Sequence, residues 1–354
     1  MLKPSVMKHL LPVLLLLMVL FTARIKVMAQ TDSHAYFTLD DNRELPFVLT
    51  AEEAQENSFR YQFAFESHWK GSQVFARFSS MPGSYTFLIN QFNFGKVEDG
   101  EALAAFNITP FLRPGKNSLN LVFDTANGSV PDRFSVSTLC FREAVHIRDV
   151  RITSYPIPDR PASLVRIHLH LKSYLKGGKL NRTLALAVAD SRGQYIFNEK
   201  KTLNFPLAFG QETEISFDFT IEDPVVWEPG HPDLYTAKLH LLKNGMLRGE
   251  LLESSFGIRK AEYVDSLFVI NEDTITPVFA DPQQLQSLFS LDDDQILSLF
   301  EENNYTAILA DTVLPVRIMN LFDRYGIIVL RKSKLIGEPE FLQDFNRPSV
   351  IPWR

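Results

Sequence analysis

Few residues in this chain have the types and spacing that chemistry needs. Asp292, Asp293 and Asp294 form an acidic run, and His168 and His170 stand two positions apart. The run lacks the glycine and the bidentate glutamate of a calcium loop, so a solvated helix start is the favoured interpretation. The histidines lack further ligands at metal-binding spacing, which favours exposed strand positions. The sequence therefore predicts neither a metal site nor a cofactor.

The only cysteine, Cys140, lies in the apolar stretch Ser137–Phe141. A buried thiol is the expected role, because reactive cysteines need surroundings that favour the thiolate. One cysteine forms no intrachain disulfide, so stability must come from core packing. The sequence also lacks Gly-x-Ser-x-Gly, His-Glu-x-x-His and phosphate-loop motifs, which leaves no independent catalytic site to predict.

The elements that would position a site are mainly strands. The chain has 29 Phe against 3 Trp and 10 Tyr, a composition that favours sheets. Short alternating segments separated by turn signals predict a sandwich or jelly roll, and a second set predicts an immunoglobulin-like sandwich. The candidate strands are 59–65, 73–78, 84–90, 118–123 and 134–140 in the first set, and 147–153, 163–172, 182–190, 194–197, 214–220 and 235–243 in the second.

One strand candidate shows the alternation clearly. In Ser163–Lys172, Val165, Ile167, Leu169 and Leu171 share one face, and Arg166, His168 and His170 share the other. Successive side chains of a strand point to opposite faces, so the apolar set predicts a core and the polar set a wet surface.

Past Ile270 the pattern changes to helices and short strands. Leu285, Leu288 and Phe289 have helical spacing, and the order that follows is helix, strand, helix, strand. This order is typical of an α/β unit with parallel pairing. The proposed elements are a helix over Leu291–Phe300, a strand over Tyr305–Ala310, a helix over Pro315–Tyr325 ended by Gly326, and a strand over Ile327–Leu330.

The N-terminus has the pattern of a signal peptide. Lys3 and Lys8 are followed by the apolar stretch Leu10–Thr22 and by small residues near Ala29. We therefore expect export to the periplasm, cell surface or exterior, with no transmembrane segment in the mature chain; an uncleaved anchor is the alternative. A net charge of −6 without a long basic run argues against a nucleic-acid partner.

Four stretches resemble the family 2 glycoside hydrolases, which include β-galactosidases, β-glucuronidases and β-mannosidases. Together they span residues 85 to 353 in the order of that family. They are Tyr85–Asn90 with Asn107–Leu112 and Pro114–Leu119; Val226–Tyr235, which holds Trp227, Pro232 and Tyr235; Phe256–Arg259, which holds Gly257 and Arg259; and Asp344–Trp353, which holds Pro348 and Trp353.

The resemblance implies a mainly β protein in three parts after the signal peptide. We expect a jelly-roll, sugar-binding-like domain, an immunoglobulin-like β-sandwich and an incomplete β/α segment corresponding to part of a TIM barrel. The predicted boundaries are 1–29, 30–144, 145–262 and 263–354. The signature residues listed above are expected to be structural, as is Asn107.

Departures from the family pattern bear on catalysis. The family places its acid/base glutamate within a few residues of the tryptophan that Trp353 resembles, and its nucleophile further along the barrel, whereas this sequence ends at Arg354. Asn271–Pro277 lacks the family's Gly-x-Asn-x-His pattern, and Ala310–Pro315 keeps only a proline of Arg-x-Ser-His-Tyr-Pro. Retaining hydrolysis needs two carboxyl groups. The sequence therefore predicts a chain without catalytic residues of its own.

The resemblance implies that the first domain binds sugar, and this activity would remain in a chain without catalytic residues. Aromatic faces stack on sugar rings and amides bond hydroxyls, so the candidate carbohydrate-binding residues are Trp69, Tyr85, Asn90, Phe92 and Phe94. Phe92 and Phe94 lie in the loop-like stretch Asn90–Gly95. Core packing accounts for each aromatic ring equally well.

Three functions remain open at this point. The leading hypothesis is a non-catalytic, carbohydrate-associated pseudoenzyme. The second is the N-terminal fragment or split half of a β-galactosidase-like glycosidase, completed by a separate barrel. The third is a cell-envelope interaction module. The expected partners are a glycan and another protein chain that completes or covers the partial barrel, because open strand edges invite pairing.

Overall fold

The computed structural model describes residues 38–39, 44–52, 55–78, 84–97, 104–124, 137–243, 246–264, 267–281, 288, 291–310, 314–332, 344 and 346–353. The predicted signal peptide at 1–29 lies outside these residues. Leu285 and Phe289, two of the three residues with predicted helical spacing, also lie outside them. None of the helices in the described ranges is long and apolar enough to cross a membrane.

Strands dominate the described chain up to Arg142. They are β1 (Thr38–Leu39), β2 (Glu44–Phe47), β3 (Thr50–Glu52), β4 (Gln55–Phe65), β5 (Gln73–Phe78), β6 (Tyr85–Ile89), β7 (Phe92–Val97), β8 (Ala104–Asn107), β9 (Gly115–Phe123) and β10 (Ser137–Arg142), with 3₁₀ turns at Ser67–Trp69 and Thr109–Phe111.

Two antiparallel sheets built from these strands form the first sandwich. One has the order β3-β4-β9-β6-β7 and the other β2-β10-β5-β8. Phenylalanine rings fill the space between them; Phe78 and Phe87, for example, meet edge to face with ring centroids 5.2 Å apart. The two-sheet β architecture expected for this region is confirmed.

The second sandwich uses longer strands. They are β11 (Val145–Pro156), β12 (Ala162–Ser173), β13 (Lys179–Ala189), β14 (Tyr195–Pro206), β15 (Glu212–Glu222), β18 (Tyr235–Lys243) and β19 (Met246–Phe256). The sheet β11-β12-β15 packs on the sheet β1-β19-β18-β13-β14. β1 thus lies within the range predicted for the first domain but pairs with β19 of the second sandwich.

Strand β12 has the predicted two faces. Val165, Ile167, Leu169 and Leu171 are fully buried in the core of the second sandwich. On the opposite face, Arg166 pairs with Asp218 of β15, with Nη2 and Oδ2 2.7 Å apart. A period-2 pattern therefore placed both the core and the wet face correctly.

A short ribbon, a three-stranded sheet and a β/α unit complete the described chain. The ribbon pairs β16 (Trp227–Glu228) with β17 (His231–Pro232), and the small antiparallel sheet contains β20 (Ala261–Val264), β21 (Leu267–Ile270) and β22 (Asp273–Ile275). The β/α unit contains α1 (Asp293–Glu302), β23 (Ala307–Leu309), α2 (Val316–Tyr325), β24 (Ile328–Lys332) and β25 (Val350–Trp353). Its strands pair in parallel in the order β23-β24-β25, as the sequence predicted.

The ends of both helices follow from local chemistry. The Asp292 side chain accepts a hydrogen bond from the Gln295 backbone amide at 2.8 Å, and the Gln295 Oε1 atom accepts one from the Asp292 backbone amide at 3.0 Å. This reciprocal cap confirms the helix-start interpretation of the acidic run. Helix α2 ends at Gly326, whose φ of 71° lies in the left-handed region that favours glycine.

Two sequence interpretations differ from the structure. Asn90–Gly95 was expected to be loop-like, but Phe92–Val97 is a strand that pairs with β6. The reason is a tight turn at Asn90 and Gln91, both with positive φ, which reverses the chain without a glycine. The small sheet β20-β21-β22 was not predicted, and β20 crosses the expected boundary at 262.

A close approach fixes the second sandwich against the β/α unit. A Cβ atom on Gly257 would lie 2.7 Å from Cβ of Trp227 and 2.6 Å from Cβ of Pro348. Real Cβ atoms do not approach so closely, so only a hydrogen atom fits between these two side chains. Beside this contact, the indole Nε1 of Trp227 donates to the carbonyl of Asp323 in α2 at 2.8 Å.

Hydrogen bonds from Arg259 and to Asn346 add to the same junction. The Arg259 guanidinium donates to the carbonyls of Pro348 and Val350. Its desolvation lowers the pKa of Arg259 to about 10, and Asp323 acts in the opposite direction. The Asn346 carboxamide accepts from Ile152 N at 2.7 Å, so the segment before β25 is bonded to β11.

Gly257→Ala is expected to lower the free energy of unfolding by about 1–3 kcal/mol, because overpacking forces Trp227 or Pro348 out of position. Chemical denaturation followed by tryptophan fluorescence measures this loss. The matched control is Gly230→Ala, since no heavy atom beyond the adjacent residues of the chain lies within 4 Å of its Cβ position. That variant should stay within about 0.5 kcal/mol of the parent chain. Equal midpoints for all three proteins would contradict the close-approach argument.

Candidate functional site

A polar groove covers the outer face of the first sandwich. It has a volume of about 500 Å³ and lies on the sheet that contains β4, β9 and β6. Hydroxyl, carboxamide and guanidinium groups dominate the lining, with two aliphatic side chains among them. The lining residues are Ser58, Arg60, Gln62, Leu88, Asn90, Gln91, Arg113, Ser118, Asn120 and Val122. We call this surface the sheet groove.

Strand alternation explains why the sheet groove is polar. Phe59 and Phe63 of β4 point into the core, so Arg60 and Gln62 must point to the opposite face. The same alternation on β9 buries Leu119 and Leu121 and places the even-numbered residues outward. This signal was present in the sequence, but the sequence-based candidates were four aromatic residues and Asn90, not the other outward residues of these strands.

The strand register brings the outward side chains into rows. Arg60 of β4 stands opposite Asn120 of β9, and Asn120 stands opposite Leu88 of β6. In the next row, Gln62 stands opposite Ser118. Side chains directly opposite on one face of an antiparallel pair lie about 4.5–5.5 Å apart at Cβ, so each row forms one continuous contact surface.

Asn90 closes one end of the groove through three hydrogen bonds. Its Nδ2 atom donates to the Phe111 carbonyl at 2.9 Å and to Asn117 Oδ1 at 2.7 Å. Its Oδ1 atom accepts from Ser118 N at 2.9 Å. Because these bonds occupy the carboxamide, Asn90 acts first as a turn residue that holds the groove in shape, with a φ of 49°.

The two arginines of the groove are held by amides. With its oxygen turned towards β4, the Asn120 carboxamide accepts from Arg60 Nε at 3.3 Å and donates to Ser118 Oγ at 2.8 Å. The Arg113 Nη2 atom donates to the Asn90 carbonyl at 3.4 Å. The buried Asn117 carboxamide fixes the backbone of Arg113, accepting from its N at 2.8 Å and donating to its O at 2.9 Å. Both guanidinium groups therefore start from restrained positions.

Two of the aromatic residues predicted to bind sugar, Tyr85 and Trp69, lie inside the sandwich. Tyr85 is fully buried, and burial raises the pKa of its hydroxyl above the ordinary value. Trp69 is buried against Phe141, with ring centroids 4.5 Å apart. Neither ring lines the sheet groove.

Phe92 and Phe94 of β7 pack against the 3₁₀ turn that follows β8. The Phe92 ring stacks on Phe111 at a centroid distance of 3.9 Å, and the Phe94 ring stacks on Phe87 at 5.0 Å. Of the five predicted carbohydrate-binding residues, Asn90 is the one that the structure brings to the groove. A direct sugar contact by any of the five stays a prediction.

The signature residues of the second and third parts meet at the junction described above. Gly257 lies between Trp227 and Pro348 there, Arg259 donates to the Pro348 carbonyl, and Pro232 pairs with Trp227 in the ribbon. Tyr235 accepts from Val225 N at 2.9 Å through its hydroxyl and stacks on Phe256. The backbone of Trp353 ends β25, opposite Lys332. In these placements the residues pack and bond within the fold, and their expected structural role stays a prediction.

Asn107 has a local role in the first sandwich. Its Oδ1 atom accepts from Thr109 N at 3.1 Å, and its Nδ2 atom donates to Gln73 Oε1 at 3.1 Å. The carboxamide therefore starts the 3₁₀ turn Thr109–Phe111 and ties it to β5. That turn carries Phe111, whose ring stacks on Phe92 and whose carbonyl accepts a hydrogen bond from Asn90.

The other chemically suggestive residues have structural surroundings. Cys140 is buried in β10, as predicted. His168 and His170 lie on the outer face of β12, and His170 Nδ1 is 3.7 Å from a Glu214 carboxylate oxygen. Within the described ranges, no group of three or more His, Cys, Asp or Glu side chains is arranged to hold a metal ion.

A buried ion pair stands at the carboxyl ends of β23 and β24. Arg331 donates through Nε to Asp344 Oδ2 at 2.9 Å and through Nη1 to the carbonyl of Ala310 at 2.6 Å. Neither charged side chain is accessible to solvent. Burial raises the pKa of Asp344, and the Arg331 charge opposes that shift. Enzymes with β/α folds place their catalytic residues at the carboxyl ends of the parallel strands. In this chain a buried Arg331–Asp344 ion pair occupies that position.

Comparisons with known proteins agree with this architecture. The family described as Glycosyl hydrolases family 2 matches residues 145–259. A β-galactosidase of Priestia megaterium is 25% identical over 223 residues, which cover 59% of this chain and 21% of that protein. A β-galactosidase of Yersinia enterocolitica is 21% identical over 359 residues, covering 83% of this chain and 33% of that protein. The chain spans about a fifth to a third of these relatives.

Solved structures show the same fold at low identity. A β-glucuronidase of Bacteroides uniformis has a TM-score of 0.71 and 17% identity, covering 83% of this chain and 40% of that one. A β-glycosidase of Bacteroides vulgatus has a TM-score of 0.67 and 18% identity, covering 83% and 41%. The resemblance drawn from the motifs is confirmed, and it extends across the greater part of this chain.

Asn90→Ala is expected to destabilise the first sandwich by about 2–4 kcal/mol, because it removes three hydrogen bonds and puts alanine in a left-handed conformation. Asn90→Gly keeps the conformational freedom and should recover about 1 kcal/mol of that loss. Urea unfolding monitored by circular dichroism measures both. Gln62→Ala, an exposed change on the same face, is the control. An Asn90→Ala midpoint equal to that of the control would refute the turn-residue role.

Proposed function

We propose that this chain, which is related to the N-terminal part of the family 2 glycoside hydrolases, is a non-hydrolytic carbohydrate-binding unit of an exported protein. The sheet groove is the observation that carries the proposal. Its carboxamides and hydroxyls lie in register on a rigid sheet, at the spacing of neighbouring strands. Sugars present several hydroxyl groups, and polar side chains with fixed positions recognise them by hydrogen bonds.

The chemistry of the groove supports binding rather than hydrolysis. Retaining glycosidases hold two carboxyl groups about 5 Å apart across the sugar. The described lining residues of the sheet groove are amides, hydroxyls, guanidinium groups and aliphatic chains. In the β/α unit, Asp344 is buried and bonded to Arg331, so it is not placed to protonate a glycosidic oxygen.

A second candidate function has its own support. The chain spans 33% of the Yersinia enterocolitica β-galactosidase and 40% of the Bacteroides uniformis β-glucuronidase. The three described parallel strands β23-β24-β25 correspond to part of a β/α barrel, which needs eight strands to close. The alternative is therefore the N-terminal part of a glycosidase, active once further β/α units are supplied from the same or another chain.

Export is part of the proposal and depends on the sequence pattern at 1–29. A signal peptide there would deliver the sandwiches to the periplasm, the cell surface or the exterior, where polymeric glycans are encountered.

Calorimetric titration of the mature chain separates these functions. Neutral and acidic oligosaccharides, including galactosides, glucuronides and mannosides, serve as ligands, and a hydrolysis assay is run on the same samples. We expect heat of binding without release of sugar. Glycan contacts in an open groove predict dissociation constants of about 10 µM to 1 mM, because water-exposed hydrogen bonds contribute little net free energy.

Each result has a definite meaning. Turnover above that of a heat-denatured sample would overturn the non-hydrolytic proposal and favour the glycosidase alternative. Turnover that arises only after addition of a separately expressed barrel would favour a split enzyme. An absence of heat with every sugar would overturn carbohydrate binding itself.

A further inference from the structure

We propose that a cavity between the second sandwich and the β/α unit binds a free inorganic oxyanion, of the class of phosphate or sulfate, through Arg259 and Arg347. We call it the junction cavity. Its walls are the end of β11 from Ile152 to Tyr155, the chain after β19 around Arg259, and the chain before β25 from Asn346 to Pro348. None of these residues lines the sheet groove, so the proposal does not rest on carbohydrate binding.

The junction cavity has the size of a small-ion site. Its volume is about 210 Å³. A single water needs roughly 10–15 Å³, so one tetrahedral oxyanion with part of its hydration shell fits inside. Pockets that hold larger organic ligands measure about 300–1,000 Å³. The volume therefore favours a free ion over a sugar ring.

Two backbone carbonyls hold Arg259 in place. Its Nε and Nη2 atoms donate to the carbonyls of Pro348 and Val350. In the part of the chain that the structure describes, Nη1 has no hydrogen-bond partner, yet it is not one of the fully buried polar atoms that lack one. Nη1 therefore keeps access to solvent. Since Arg259 lines the junction cavity, the two hydrogens on Nη1 are available to a ligand there.

Side chains of α2 hold Arg347. Its Nη1 atom donates to Asn320 Oδ1 and, at 2.7 Å, to Asp323 Oδ2. Among the described residues, its Nε and Nη2 atoms have no hydrogen-bond partner, and the side chain is 10% exposed. The planar fork of a guanidinium donates parallel hydrogen bonds to two oxygens of a phosphate or a carboxylate. Arg347 thus keeps an edge that suits an oxyanion.

The charges at the junction cavity do not cancel. Asp323 is bonded to Arg347, and its other carboxylate oxygen accepts from Ser349 N at 3.2 Å and from Ser349 Oγ at 2.6 Å. No acidic residue is among the described residues that line the cavity. Two guanidinium groups and one fully bonded carboxylate leave a positive charge, which favours an anionic ligand.

Burial makes this positive charge costly without a ligand. Desolvation lowers the pKa of Arg259 to about 10, and the Asp323 charge acts in the opposite direction. A desolvated cation is stabilised by an anion that reaches its donors. An oxyanion in the cavity would bridge Arg259, which follows the second sandwich, to Arg347, which is bonded to α2. Binding would therefore tie the two units together.

Calorimetric titration of the mature chain with inorganic phosphate and with sulfate tests the proposal. Sodium chloride keeps the ionic strength constant, so that screening does not change during the titration. We expect one site with a dissociation constant on the order of 1 mM, because two or three charge-assisted hydrogen bonds outweigh the cost of dehydrating the ion. Galactose 6-sulfate is the comparison probe, and it should bind at least about tenfold more weakly because the cavity is too small for its ring.

Thermal unfolding gives a second measurement on the unmodified chain. An ion that binds only the folded state stabilises it by mass action. At ten times the dissociation constant, phosphate or sulfate should raise the midpoint by about 2–5 °C relative to sodium chloride of equal ionic strength.

Variants locate the site on the protein. Ser154→Asp adds a carboxylate to the cavity wall and leaves the described bonds of both arginines in place, so it should weaken phosphate binding about tenfold by charge repulsion. The matched control is Ser191→Asp, the same exchange in an exposed turn of the second sandwich, which should stay within about twofold of the parent. Arg347→Gln should abolish measurable binding. If circular dichroism shows that Arg347→Gln does not fold, the two aspartate variants decide.

The outcomes bear on the junction cavity alone. An absence of binding to both phosphate and sulfate would overturn the proposal. Equal phosphate affinity in Ser154→Asp and Ser191→Asp would also overturn it, since the ion would then lie elsewhere. Galactose 6-sulfate that binds as tightly as sulfate would overturn the assignment to a free ion. The sugar binding proposed for the sheet groove is unaffected by any of these results.

Discussion

A steric constraint at Gly257 determines how the second sandwich meets the β/α unit. Trp227 and Pro348 approach this residue so closely that a side chain as small as a methyl group has no room. The contact sets the distance at which the other bonds of the junction form, including those of Arg259 to the carbonyls of Pro348 and Val350. A partly buried cation is tolerated because those carbonyls satisfy its donors. The signature residues Trp227, Gly257, Arg259 and Pro348 therefore form part of the joint between the second sandwich and the β/α unit.

The sheet groove arises from a different constraint, the alternation of side chains along strands. On β4, every phenylalanine that fills the core requires its neighbour to face outward. Phe59 and Phe63 thus put Arg60 and Gln62 into the groove. The aromatic richness of the sequence and the polarity of the groove are consequences of one pattern. Most of its lining residues lie on paired strands of one sheet, so the groove is preorganised for the proposed binding.

Sequence reasoning located the architecture well but missed all the residues that line the sheet groove except Asn90. The alternation in Ser163–Lys172 and the helix end at Gly326 depend on neighbouring residues only, and both were predicted. The hairpin at Asn90 and Gln91 was not predicted, because the turn lacks the Asn-Gly or Asp-Gly pair that usually marks it. Phe92 and Phe94 face the core because Phe111 is brought against them by a distant segment, which a local pattern does not reveal.

The junction and the groove together bear on how binding and catalysis relate in this chain. The groove lies in the first sandwich, whereas the buried pair Arg331–Asp344 lies at the carboxyl ends of β23 and β24. An ion pair without solvent access is costly to open, because separating it would leave two charges desolvated. The β/α unit therefore favours a fixed packing surface over a mobile acid. The proposed sugar recognition by the sheet groove would require no participation from that pair, so the proposal does not depend on the presence of further β/α units.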